Sequence, residues 1–200
     1  MPRIVEEKPY GGANERAGRI GLGPLLAEIR NIVTDFTLLI EERRDANGGA
    51  AVRKLIDSQF QKASGWKKVS SGEVDWTKCR AINGAKVCIG VEVQFSARSD
   101  LVIIDLIHLR RALTKGLIDI GVLLVASDKL GRFLTDRAPR MADAKRMIFE
   151  SRVEDLPLIV ISIEHDGPGP FQQKQPKRSP KTQRTRKRAA RPPPTKKTKN

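Results

Sequence analysis

Between residues 87 and 95 the apolar positions fall on every second residue. Val87, Ile89, Val91, Val93 and Phe95 share one parity, and Glu92 and Gln94 have the other. That alternation marks a strand with one face in a core and the other turned away from it. Just upstream, Asn83-Gly84 supplies the two residues that a type I′ turn needs at positive φ, so a two-residue hairpin loop is expected there. Ile82 then faces Ala85, Cys79 faces Cys88, and Asp75 faces Glu92. Counted from the turn, the Asp75/Glu92 pair is a non-hydrogen-bonded one, where opposed Cα atoms are only about 4.5 Å apart.

Helical spacing governs other stretches. Leu25, Ile29, Ile32, Val33, Phe36, Leu39 and Ile40 predict one helix running from Pro24 to near Asp45. Val52, Leu55, Ile56 and Phe60 predict a second over residues 50–62, and residues 141–151 another. Ser99 or Asp100 reads as the N-cap of a helix over residues 101–115. Its face of Leu101, Ile104, Leu106, Ile107, Leu109 and Leu113 is more apolar than a surface helix requires, which points to burial in the domain or at a subunit interface. Residues 118–126 and 158–163 are continuous apolar runs, as in strands covered on both faces. The residues before Gly23 read as a flexible lead-in and residues 127–140 as a polar loop. The order gives an α/β fold with a mixed central β-sheet flanked by helices.

Charge alters this picture at one end only. The chain of 200 residues carries +15, but residues 171–200 hold twelve Lys or Arg and no acid, so the rest is close to neutral at +3. A segment so basic and poor in apolar residues cannot offset its ordering entropy. We therefore expect one domain over residues 1–168 and a disordered basic tail over 169–200, suited to phosphate contacts or simply to solvation. No apolar run reaches membrane-spanning length and the N-terminus lacks a signal-peptide core, so a cytoplasmic protein is expected. There, Cys79 and Cys88 should be free thiols. Two Cys without further ligands at zinc spacing do not make a zinc site.

Two directly opposed carboxylates destabilise a sheet unless something compensates them. A hard divalent cation such as Mg²⁺, held by one or two carboxylates and substrate phosphate oxygens, would do so. The alternative is a solvated hairpin face with Lys78 and Lys86 nearby. The pattern Asp75, sixteen residues, then Glu92-Val93-Gln94 resembles the metal site of the PD-(D/E)xK nuclease superfamily. The run VEVQF is similar in particular to that of the BglII/BstYI-like type II restriction endonucleases, in which Gln stands where the commoner motif has Lys. Gly65-Trp66, the segment IDIGVLLV and the strand LPLIVISIE extend the resemblance over residues 20–168. In that family the aspartate lies nearer the glutamate, and fixed spacing would select Asn83. Asn83 lies in the turn, so the register gives the role to Asp75 in a longer hairpin.

The resemblance implies a restriction-endonuclease-like αβββαβ core and a homodimer. It implies Mg²⁺-dependent hydrolysis of double-stranded DNA at a short, GATC-centred palindrome, with a cognate DNA methyltransferase in the same restriction-modification system. Asp75, Glu92 and the Val93 carbonyl would hold metal, and Gln94, which does not ionise, would orient the attacking water. Glu28 on the first helix and Glu73 are secondary candidates. For DNA contacts the candidates are Ser96 and Arg98 at a helix start, with Lys129, Arg132, Thr135, Asp136, Arg137 and Arg140 in the base-reading segment. Arg137 comes first among them, because Arg can bridge guanine O6 and N7. His108 and His165 read as structural. A structure-selective or repair nuclease, and a non-catalytic basic DNA-binding protein, are the rival readings.

Overall fold

The computed structural model describes residues 1–69, 74–96, 99–135 and 137–170. The chain opens with β1 (Arg3–Pro9) and α1 (Ala13–Arg19), followed by α2 (Gly23–Thr34), β2 (Leu39–Ile40), α3 (Gly49–Lys62) and β3 (Lys67–Lys68). The hairpin of β4 (Trp76–Ile82) and β5 (Ala85–Gln94) comes next. A 3₁₀ turn (Ser99–Leu101) leads into α4 (Val102–Thr114), β6 (Ile120–Ala126), α5 (Asp128–Phe133), α6 (Met141–Glu150), β7 (Leu158–Glu164) and β8 (Gly167–Pro168). Six strands form one mixed sheet in the order β1-β7-β6-β5-β4-β3, with β5, β6 and β7 parallel. Its two edges are antiparallel, and β2 and β8 make a separate parallel pair.

The hairpin register is the expected one, from Trp76 opposite Val91 to Ile82 opposite Ala85. Asn83 and Gly84 have φ of 50° and 78°, as a type I′ turn demands. Val87, Ile89, Val91 and Val93 of β5, with Phe95 just past it, enter a core with Leu25, Ile29, Val52, Ile56, Phe60 and Trp76, which α2 and α3 help to build. Across the sheet, Leu123, Val125 and Val160 pack with Leu106 and Leu109 of α4 and with Ala144 and Ile148 of α6. Glu92 and Gln94 face this second layer.

Five expectations are corrected. The lead-in is ordered: residues 3–9 add an edge strand to β7, and their charges are what an edge strand carries against stray pairing. The first helix stops at Thr34, whose Oγ1 bonds back to the Arg30 carbonyl at 2.8 Å, and Leu39–Ile40 turn into a strand although the helical spacing runs on through them. The polar loop begins with a short helix, α5, because Ser127 Oγ caps it by accepting from Leu130 N–H at 3.0 Å. Cys79 and Cys88 are disulfide-bonded rather than free, their Cα atoms 4.0 Å apart in the non-hydrogen-bonded pair. The helix over residues 101–115 is present as α4, but neither Ser99 nor Asp100 caps it; the 3₁₀ turn precedes it and Leu101 occupies the N-cap. Glu73, Arg98, Asp136 and the basic tail beyond residue 170 lie outside the described residues.

Candidate active site

Asp75 sits one residue before β4, where the register carries it across from Glu92. Its Oδ2 accepts the Val93 N–H at 2.9 Å, which fixes the carboxylate against β5. Its Oδ1 accepts from Arg53 Nη2 at 2.5 Å, so a guanidinium from α3 already supplies one positive charge beside it. Asp57, one turn along from Arg53, anchors Trp76 through an Nε1–H bond of 2.8 Å and ties α3 to the start of β4.

Glu92 is only 3 % exposed. Burial, reinforced by the charges of Asp75 and Asp105 and opposed by that of Arg53, pushes its pKa up to about 10. Asp105 of α4 is pushed up to about 7 by burial, against the hydrogen bond from Gln94 that favours its charged form. That bond runs from Gln94 Nε2 to Asp105 Oδ2 at 2.6 Å. Gln94 itself is buried, and its Oε1 has no hydrogen-bond partner among the described residues. His108, one turn beyond Asp105, places Nδ1 3.2 Å from Glu92 Oε1. Glu92, Asp105 and His108 together form a set whose ligand atoms lie within 4.8 Å of one another.

The structure thus brings Asp75, Glu92 and Gln94 together, with Val93 between the last two. It adds Arg53 and Asp105, which the sequence did not single out, and His108, which reads as structural in the sequence and stands 3.2 Å from Glu92. Asp105 and His108 had a weak signal, an acid and a histidine at i and i+3 in an otherwise apolar helix. Glu28 is elsewhere. It is bound to Lys78 Nζ at 2.7 and 2.8 Å and to Trp66 Nε1 at 3.0 Å. Lys78 pairs with Ile89, which puts that contact on the sheet face opposite Glu92. His165 is fully buried beside Glu164, with Nε2 2.8 Å from Glu42 Oε1, and has a packing role.

Past the C-terminal ends of the parallel strands lies a cleft of about 610 Å³, lined by Arg44, Ser99, Arg132, Arg137 and Arg140 among others. Arg137 is exposed and holds a positive φ of 55°. Arg140 lies near Asp143, 3.5 Å away, and Lys129 pairs with Glu42 at 3.0 Å. Thr135 is buried, its N–H bonded to the Asn47 carbonyl, so the base-reading candidates are not equally accessible. Ser96 is half-buried next to α3. Arg44 was not anticipated.

A mixed sheet covered on both faces, with carboxylates gathered on its hairpin, defines the restriction-endonuclease-like class of fold. The family model described as "Restriction endonuclease BglII/BglIII" matches residues 23–163, and the chain belongs to that family. A comparison with curated proteins finds no significant match. Among the described residues no helix is long and apolar enough to cross a membrane.

Proposed function

We propose that the protein is a type II restriction endonuclease that hydrolyses both strands of double-stranded DNA at a short palindrome, with Mg²⁺ as cofactor. The observation that carries this reading is the Asp75/Glu92 pair. Two carboxyls that the hairpin register sets opposite each other, one of them buried, call for positive charge between them, and that fits a hard cation of oxygen preference. Asp75, Glu92 and the Val93 carbonyl would hold it. When bound, such an ion supplies Lewis-acid stabilisation of the phosphoryl charge and lowers the cost of deprotonating water. The chain's own residues do the positioning. Val93 N–H and Arg53 fix Asp75, while Gln94 steadies Asp105 with its nitrogen and keeps its oxygen to orient the attacking water. The products would be 5′-phosphate and 3′-hydroxyl ends.

The arginine-lined cleft supports DNA as the substrate, since phosphate contacts by Arg and Lys dominate such interfaces. Arg137 is our choice for guanine readout, with Arg132 and Arg140 beside it, Lys129 and Ser96 on phosphates, and a GATC-centred six-base target. Arg137→Ala is expected to cost about 1–3 kcal/mol at one base position. Measuring binding to single-base variants of the site checks this: an equal loss on every sequence would make Arg137 a phosphate contact.

A two-fold target calls for a two-fold protein, and α4 with α6 offers a face for it. Leu101, Ile104 and Ile107 are exposed there, and Phe149 is 73 % exposed. We expect Ile104→Asp with Ile107→Asp to sediment as a monomer and to lose double-strand cutting, whereas a wild-type chain that stays monomeric on DNA would contradict the homodimer. A cytoplasmic location and a partner methyltransferase follow from this reading. Incubating unmethylated plasmid with the protein and Mg²⁺ tests it. Discrete fragments with ends at one palindrome are expected; a smear or preferential cutting of branched DNA would favour a repair nuclease, and intact plasmid a non-catalytic binder.

A further inference from the structure

We propose that Glu92, Asp105 and His108 form a second divalent-cation site, distinct from the Asp75 side of Glu92 and selective for transition ions such as Mn²⁺ over Mg²⁺. This deepens the nuclease reading and rests on it for its purpose, although the site can be tested without cleavage. Asp105 and His108 stand at i and i+3 on α4, so both side chains leave one face of the helix. That face packs on β5, where Glu92 projects toward it. Ligand atoms about 2.0–2.2 Å from one ion are at most roughly 4.4 Å apart. Glu92 Oε1 and His108 Nδ1 are already 3.2 Å apart and all three groups lie within 4.8 Å of one another, so side-chain shifts of about an ångström or two would close the site.

A second observation points to an ion independently. Gln94 is 4 % exposed and its amide nitrogen is committed to Asp105, which places its oxygen beside the cluster. That oxygen is buried with no donor among the described residues. Burying an acceptor without a partner is costly, and a cation at the cluster satisfies it through a water of its hydration shell, in keeping with the water-orienting role of Gln94. The donor chemistry then selects the ion. Carboxylates and an amide oxygen alone would suit Mg²⁺ or Ca²⁺, but an imidazole nitrogen favours first-row transition ions, which accept both donor types. Glu92 belongs to both donor sets and would lie between two cations, the arrangement that lets a nuclease stabilise the attacking and the leaving oxygen together.

The experiment uses the full, tag-free chain without DNA and Mn²⁺ alone as the probe. The chain has only two histidines, and the Asp75 side offers oxygen ligands only. Bound Mn²⁺ should therefore show a ¹⁴N modulation in its electron spin echo that His108→Asn removes and His165→Asn leaves. His108→Asn should also weaken one of two bound Mn²⁺ ions by at least about 10- to 100-fold, the range seen when groups that merely support a metal site are removed. Asp105→Asn should weaken the same ion. Absence of the modulation from the wild-type chain, or its survival in His108→Asn, overturns the second site even if plasmid is cut in Mg²⁺. Failure of the wild-type chain to cut DNA, with the modulation present, would overturn the nuclease reading instead.

Discussion

Glu92→Gln is expected to slow Mg²⁺-dependent cleavage by at least about 10²–10³-fold, the loss typical of removing one group that stabilises transition-state charge. Binding to the cognate site should change little, because a group at the reacting centre acts on the transition state more than on the complex. Glutamine is the informative substitution. Glu92 is buried and holds its proton up to about pH 10 without a cation, so a neutral amide of the same shape replaces a group that is already neutral in the metal-free fold. Loss of cleavage in this variant therefore reports lost charge and not a collapsed hairpin. Single-turnover rates beside binding measured in Ca²⁺ make the comparison, and a rate within a few-fold of wild type would remove Glu92 from the chemistry.

The second large effect is on stability. Glu92 and Asp105 both have folded-state pKa values above their ordinary ones, at about 10 and about 7. A group raised in the folded state stabilises the fold while protonated, and that contribution is lost as pH climbs from its unfolded to its folded pKa. For Asp105 the loss runs from about 4 to 7, and for Glu92 from about 4.5 to 10, so metal-free protein should melt progressively lower between pH 5 and 8. Each raised group loses up to about 1.4 kcal/mol per pH unit within its window, and about 1 kcal/mol moves the midpoint of a domain this size by about 2–4 °C, so the fall should be at least about 5 °C. Glu92→Gln with Asp105→Asn should flatten the trend, as should saturating Mn²⁺ on the wild-type chain. Melting curves in chelator across that range decide it; equal slopes for wild type and double variant would mean that the carboxylates are not held apart from solvent.

How far the sequence carried this reading depended on whether a feature was local. Asn83-Gly84 demands positive φ at adjacent positions, and a two-residue turn then fixes every facing pair, so the Asp75/Glu92 opposition and the core face of β5 were readable by counting. The helical and continuous apolar runs gave α3, α4, β6 and β7 for the same reason. Asp105 and His108 were not readable as site residues, because their meaning arises only when α4 docks across β5 and brings them to Glu92. Arg53 comes from the other side of the sheet and reaches Asp75 past the strand end, a contact between residues 22 apart in sequence. The edge strand β1 escaped because its charges mask the alternation, and β2 because two residues carry no period. The disulfide depended on oxidation state, which pairing geometry allows but composition does not set.

The most direct test of the central claim compares Asp75→Ala with Asn83→Ala in single-turnover cleavage of a cognate duplex with Mg²⁺. The hairpin register places Asp75 against Glu92 and leaves Asn83 in the turn, so Asp75→Ala should bind DNA without cutting it. Asn83→Ala should cut at a rate close to wild type while melting at a lower temperature, since alanine is disfavoured at positive φ. Full activity in Asp75→Ala, alongside a folded but inactive Asn83→Ala protein, would contradict the account.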